Sequence, residues 1–173
     1  ITVRQWYEMS DLAETDPLTG LANRRRLVLD GERELSRCQR NNGQMSLAMV
    51  DIDRFKSIND RWGHPTGDRV IQALANAMTA SARKQDVVGR IGGEEFVIIL
   101  AETDWQGASI KAEKLRETVQ NEASALSDDK QTVRFAISIG VATLGSEDKS
   151  FADLLARADK ALYMAKNNGR NQV

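Results

Sequence analysis

The stretch Arg90-Ile91-Gly92-Gly93-Glu94-Glu95-Phe96 lies between two apolar runs, Val87-Val88 before it and Val97-Ile98-Ile99-Leu100 after it. Two short β-rich runs joined through Gly-Gly read as a hairpin, and the glycine pair predicts a primed turn. Consecutive glutamates at its mouth gain nothing for folding, because like charges side by side repel unless a cation or solvent screens them. Taken alone, the turn also fits an exposed hairpin tip with solvated acids. A second segment answers it. Leu47-Ala48-Met49-Val50-Asp51-Ile52-Asp53 is a continuous apolar run, long enough for a buried central strand, that ends in acids. Asp51 and Asp53 share one face of that strand, and Ile52 points the other way with its carbonyl near the same edge. Placed beside the hairpin, the strand brings Asp51 and Glu94 together as oxygen ligands for a hard divalent cation. Magnesium suits that ligand set and in such sites usually accompanies a nucleoside triphosphate.

Six segments, in order, resemble the motifs of the GGDEF domain, the diguanylate cyclase family, in its GGEEF spelling. They are Asp16-Pro17-Leu18-Thr19-Gly20-Leu21-Ala22-Asn23-Arg24-Arg25, Asp51 to Asp60, Gly63-His64-Pro65-Thr66-Gly67-Asp68, the GGEEF turn, Ser138-Ile139-Gly140-Val141-Ala142 and Ala158 to Asn171. The resemblance spans residues 16 to 171. It implies an α+β fold with a mainly antiparallel central sheet flanked by helices, of the ferredoxin-like kind shared with polymerase palms and class III nucleotide cyclases. It also implies condensation of two GTP into cyclic di-GMP with release of two pyrophosphates. One such site holds one GTP, so two domains are expected to face each other as a homodimer.

By this resemblance Asp51, the Ile52 backbone carbonyl and Glu94 hold magnesium or manganese, up to two ions per site. Glu94 or Glu95 accepts the proton, and spacing does not decide which. Phe55, Lys56, His64, Gly92 and Gly93 lie against the substrate, and Lys56, Lys166 and Arg170 neutralise phosphate charge. Asn59 and Asp68 suit guanine, since a carboxylate accepts from N1–H and the exocyclic amine while an amide bonds the other ring edge. Each has a plainer reading. His64, the single histidine, fits a local structural hydrogen-bonder; Asp68 fits a helix cap; Lys166 and Arg170 fit cations complementing a helix C-terminus. Arg83-Lys84-Gln85-Asp86 stands six residues before Gly92 and resembles the family's inhibitory site for cyclic di-GMP. Its plainer reading is an i,i+3 ion pair. The family's second arginine has Lys114 and Arg116 as its nearest candidates.

The remaining chain divides by periodicity. Residues 1–14, with Trp6, Met9 and Ala13 on one side, read as a helix that either packs on its own domain or ends a signalling stalk. The chain opens on isoleucine, so an upstream sensor is expected, and any membrane anchor would lie in a missing N-terminal region. Residues 15–173 form the expected catalytic domain. Asn23 is a helix N-cap, and Asn41-Asn42-Gly43 stops that helix near Arg40. Ile71, Leu74, Ala75 and Met78 mark one buried helical face; Ala108, Ala112, Leu115 and Val119 mark another. A polar, mobile loop is expected near residues 127–130, then a strand from Val133 to Leu144. Ser150 starts a last helix through Phe151, Leu154, Leu155, Ala158, Leu162 and Ala165, which Gly169 caps.

With 24 basic and 25 acidic residues among 173, the net charge of -1 gives no global field to recruit a nucleic acid polymer or a membrane. The lone Cys38 excludes an internal disulfide and suits a reducing cytoplasm. No apolar run reaches membrane-spanning length. Two other functions compete: a degenerate domain that only binds cyclic di-GMP or GTP, and a cyclase with a different product. The intact Asp51, Gly92, Gly93, Glu94 and Glu95 argue against the first, and Asp68 argues against adenine.

Overall fold

The computed structural model describes residues 1–5, 9 and 13–173. Strand β1 (Met45–Ile52) is buried along its whole length. Its alternate side chains enter two different cores, which is why the run is continuously apolar. Ala48, Val50 and Ile52 join helices α3 (His64–Ser81) and α4 (Trp105–Glu122), while Met45, Leu47 and Met49 join helices α1 (Arg24–Asn41) and α5 (Phe151–Asn167). Helix α2 (Phe55–Trp62) follows β1. The other strands are β2 (Val87–Arg90), β3 (Glu95–Ala101), β4 (Ser124–Leu126), β5 (Thr132–Arg134) and β6 (Ile137–Thr143).

The main sheet has the order β2-β3-β1-β6, with every adjacent pair antiparallel. Leaving out the small β4-β5 hairpin, the chain runs strand, helices, strand, strand, helix, strand, which is the ferredoxin-like arrangement. Helix α5 closes one face. It approaches β6 so closely that a β-carbon at Gly140 would lie 2.2 Å from the Ala158 carbonyl oxygen and the Leu162 nitrogen.

The expected helical faces of α3, α4 and α5 are buried, apart from Leu155, which is half-buried, whereas Met9 and Ala13 of the expected N-terminal face are exposed. Asn23 caps α1 by accepting from the Arg26 amide, and Asn42 ends the helix in the left-handed region. Gly63, at φ 89, separates α2 from α3, which opens at His64 with Pro65 in its first turn. Three expectations need correction. Residues 127–131 form the turn of the β4-β5 hairpin, with Ser127 accepting from Lys130 and Gln131, rather than a mobile loop. The strand near Val133 to Leu144 is two strands, broken at Phe135 and Ala136. Asn168 is the C-cap of α5, and Gly169 follows it at φ 120. The expected N-terminal helix falls largely on Trp6, Tyr7, Glu8 and Ser10 to Leu12, which lie outside the described residues.

Candidate active site

The alternation that buries Met45, Leu47 and Met49 toward α5 carries Asp51 to the same side. There the Lys166 ammonium donates to Asp51 Oδ2 at 2.5 Å, with the Asp51 side chain only 3% exposed. Asp51 faces Glu95 in the β1–β3 register, and the Ile52 amide donates to the Glu94 carbonyl at 3.3 Å. The strand end and the GGEEF turn therefore meet. Burial pushes the Asp51 carboxyl up to about 6 against the pull of Lys166, and the charges of Glu94 and Glu95 add to the rise.

The turn itself is not of the primed kind. Neither Gly92 nor Gly93 takes a left-handed φ, because four residues separate β2 from β3 and a loop of that length needs no mirror-image turn. The glycines provide room. A β-carbon at Gly92 would crowd Glu95 Oε2 at 3.3 Å, and Gly93 opens onto empty space. Arg90 holds the loop from behind: its guanidinium donates to the Gly93 carbonyl at 2.8 Å, to the Gly92 carbonyl at 3.1 Å and to Asp16 at 3.2 Å. Burial opposes the charge on Asp16, but Thr19 and Arg90 outweigh it and hold its carboxyl below the usual range. Sequence reasoning missed this brace. Arg90 beside the glycines was its one visible signal, with its partner 74 residues away.

On the other side of the β1 end, α2 and α3 bring Asn59 against Gly67, and Asp68 follows Gly67 on α3. A β-carbon at Gly67 would overlap Asn59 Oδ1 at 1.9 Å, so only glycine lets this amide lie against α3. Asn59 Oδ1 and Thr66 Oγ1 are buried without a hydrogen-bond partner among the described residues. Such an orphan costs about 1–3 kcal/mol, which an arriving donor removes. The cap reading of Asp68 fails: Gly63 is the N-cap of α3 and Asp68 lies on the following turn, exposed. His64 begins α3 exposed, and no side-chain bond ties it to the described residues, so it is no structural hydrogen-bonder there. Lys56 is also exposed, and Phe55 packs half-buried against the α3–α4 core.

Lys166 and Arg170 do not sit a turn apart on one helix. Helix α5 ends at Asn167, and Gly169, Arg170 and Asn171 follow at φ 120, 64 and 46. Left-handed backbone at the two non-glycine residues costs on the order of 1–3 kcal/mol each and persists only where the surroundings impose it.

The family model "Diguanylate cyclase, GGDEF domain" matches residues 13–172. This chain belongs to the GGDEF family. Among curated proteins it is 38% identical over 162 residues to "Probable diguanylate cyclase DgcC" of Escherichia coli, covering 94% of this chain and 43% of that protein. The chain thus spans less than half the length of that relative. Among solved structures, the GGDEF domain of DgcB from Caulobacter crescentus in complex with c-di-GMP superposes with a TM-score of 0.88 at 33% identity, over 92% of this chain and 91% of that one. Diguanylate cyclase SiaD of Pseudomonas aeruginosa, in complex with its activator SiaC, gives 0.86 at 38% identity over 98% and 66%.

In this GGDEF domain the Arg83–Asp86 pair is more than a surface contact. The Asp86 side chain is fully buried. It accepts from the Arg83 guanidinium at 3.1 Å and from Lys111 at 2.8 Å, while Arg83 also reaches the Ala101 carbonyl and Thr103 at 2.7 Å. Lys111 on α4, rather than Lys114 or Arg116, is the cation that meets this pair. Arg116 is instead committed to Glu113 and Asn171. Among the described residues no three His, Cys, Asp or Glu side chains group as metal ligands. The oxygen set of Asp51, the Ile52 carbonyl and Glu94 nonetheless fits a hard divalent ion: burial chiefly raises the Asp51 carboxyl, the charges of Glu94 and Glu95 add to the rise, and a cation among these acids would relieve both. No described helix is long and apolar enough to cross a membrane.

Proposed function

We propose that this domain condenses two GTP into cyclic di-GMP and releases two pyrophosphates. The observation that carries the reading is the meeting of Asp51, Glu94 and Glu95 at the end of β1, braced by Arg90 and answered by Lys166. Asp51, the Ile52 carbonyl and Glu94 would hold magnesium or manganese, one or two ions per site. A bound ion supplies charge stabilisation at the α-phosphate and lowers the pKa of the attacking 3′-hydroxyl.

Glu94 or Glu95 accepts the 3′-hydroxyl proton. As the 3′-oxygen bonds to the α-phosphorus of the facing nucleotide, the bond from that phosphorus to the β-phosphate oxygen breaks and pyrophosphate leaves. The same step in the opposite direction closes the ring. Phe55, His64, Gly92 and Gly93 line the nucleotide, and Lys56, Lys166 and Arg170 bind its phosphates. Lys166 exchanges its bond to Asp51 for a phosphate oxygen. Asn59 and Asp68 read the guanine edge, which the orphaned Asn59 oxygen and the unbonded Asp68 support.

Residues 15–173 are the catalytic unit, and residues 1–14 link it to an upstream sensor. The reaction joins two nucleotides and each domain holds one, so the active species is a facing homodimer in the cytoplasm. Cyclic di-GMP also inhibits, at Arg83 and Asp86 with Lys111 beside them; a relative solved with c-di-GMP supports the ligand class. Product chromatography after incubation with magnesium and GTP, or with ATP, tests the reading across a range of protein concentrations. Cyclic di-GMP from GTP alone, at a rate per chain that rises with concentration, is expected. Binding of cyclic di-GMP with no pyrophosphate released would make the domain a receptor.

A further inference from the structure

We propose that Asp53 is a positioning residue: its carboxylate holds the left-handed turn at Arg170 and Asn171 and thereby aims the Arg170 guanidinium at the nucleotide phosphates. The inference rests on the phosphate role proposed for Arg170. Asp53 is 9% exposed, immediately beyond β1, and each of its carboxylate oxygens has one partner. Oδ1 accepts from the Ser138 hydroxyl at 2.6 Å, which fixes the carboxylate to β6. Oδ2 accepts from the backbone amide of Asn171 at 2.8 Å, which fixes the tail to the carboxylate.

That amide belongs to the second of two consecutive non-glycine residues with left-handed φ, 64 at Arg170 and 46 at Asn171. Helix geometry ends at Asn167; the Arg170 amide still donates to the Ala165 carbonyl of α5 at 3.1 Å, which tethers the start of the turn, while Asp53 holds the amide that follows. Other ties hold the same turn and the residue after it, and the Gln172 side-chain amide donates to the Arg170 carbonyl at 3.1 Å. Arg116 donates to the Asn171 side chain at 3.0 Å, and the Gln172 carbonyl accepts from the Ile139 amide at 2.9 Å. Among the described residues, the hydrogen bond that links the turn to the strand end carrying Asp51 and Ile52 is the one to Asp53. The two acids of that strand end therefore divide the work, with Asp51 meeting Lys166 and Asp53 meeting the backbone beside Arg170. Metal-facing and phosphate-facing halves of the site are joined by one buried carboxylate.

A double-mutant cycle on KM and kcat for GTP tests this, with Asp53→Ala, Arg170→Ala and the pair, and Asp53→Asn as the conservative variant. Arg170→Ala is expected to raise KM about tenfold, the scale of one lost charge-assisted bond. Asp53→Ala is expected to raise KM by a similar factor, and the double variant to match Arg170→Ala. Asp53→Asn should rescue, because its amide oxygen accepts from Asn171 while its NH2 donates to Ser138. If Asp53→Ala does not fold, Ser138→Ala replaces it in the cycle, with a KM increase of about threefold that vanishes in the Arg170→Ala background. Independent, multiplying effects on KM overturn the proposal, as does an unchanged KM in both Asp53→Ala and Ser138→Ala. If Arg170→Ala itself leaves KM unchanged, the phosphate role fails first and the positioning role falls with it.

Discussion

Replacing Gly140 by alanine should damage the fold and the site together. Gly140 pairs with Met49 in the middle of the β1–β6 ladder, under α5. The added methyl would lie 2.2 Å from the Ala158 oxygen and the Leu162 nitrogen and 2.8 Å from the Leu162 α-carbon, all of them backbone atoms that no rotamer change can move. Normal contact is about 3.5 Å, so α5 must withdraw by roughly 1 Å. Phe151, Leu154, Ala158 and Leu162 seat that helix at 0–1% exposure, and opening a face packed this closely costs about 3 kcal/mol, the upper end for overpacking. For a chain of this size that corresponds to a Tm lower by roughly 6–12 °C. Lys166 lies one turn beyond Leu162 on the displaced helix, so its bond to Asp51 is lost, and turnover should fall about a hundredfold. Thermal unfolding followed by circular dichroism measures the first effect and pyrophosphate release from GTP the second. A Tm within about 2 °C of the parent would refute the reasoning, since packing this close leaves no room for a silent methyl.

Asp68→Ala is expected to erode the preference for GTP over ATP with Tm unchanged, since the carboxylate is exposed and caps nothing; a drop in Tm with full selectivity contradicts the base-reading role. Arg83→Ala should relieve inhibition by cyclic di-GMP that is noncompetitive with GTP, and a parental inhibition curve in the variant removes Arg83 from the product site. Burial would raise the pKa of Asp86, but Arg83 and Lys111 outweigh it and hold it below the usual value. Its ionised form therefore stabilises the fold above the unfolded value of about 4, and that contribution is lost as pH falls through the lower folded value. Asp86→Asn should be less stable than the parent at pH 7 and lose less stability on acidification, as urea midpoints across pH would record; parallel acid slopes would contradict the assignment.

Much of the fold was legible because local pattern and tertiary demand agree. The unbroken apolar run of β1 has two cores to fill, and the stripes of α3, α4 and α5 each have one. Asn23 and Asn42 end α1 through bonds made within a few residues of themselves. The acids of the site were visible for a related reason: Asp51 and Glu94 offend folding where they stand. What escaped were features set by partners far along the chain. Arg170 follows Gly169 off the helical path, and Asp53, distant in sequence, accepts from the next amide. Lys111 meets Asp86 because the α4 register turns it there, and residue type alone favoured Lys114 or Arg116. The β4-β5 hairpin has three residues per strand with one buried in each, too short for an alternation to emerge.

Glu94→Gln is the most direct test of the proposed site. The amide keeps the shape of the side chain and removes the charge that would hold a divalent ion beside Asp51. Pyrophosphate release from GTP with magnesium, measured on parent and variant at equal concentration, is expected to fall by about two orders of magnitude or more, with Tm unchanged. Near-parental release by a folded Glu94→Gln protein would contradict the placement of the reaction at the meeting of β1 and the GGEEF turn.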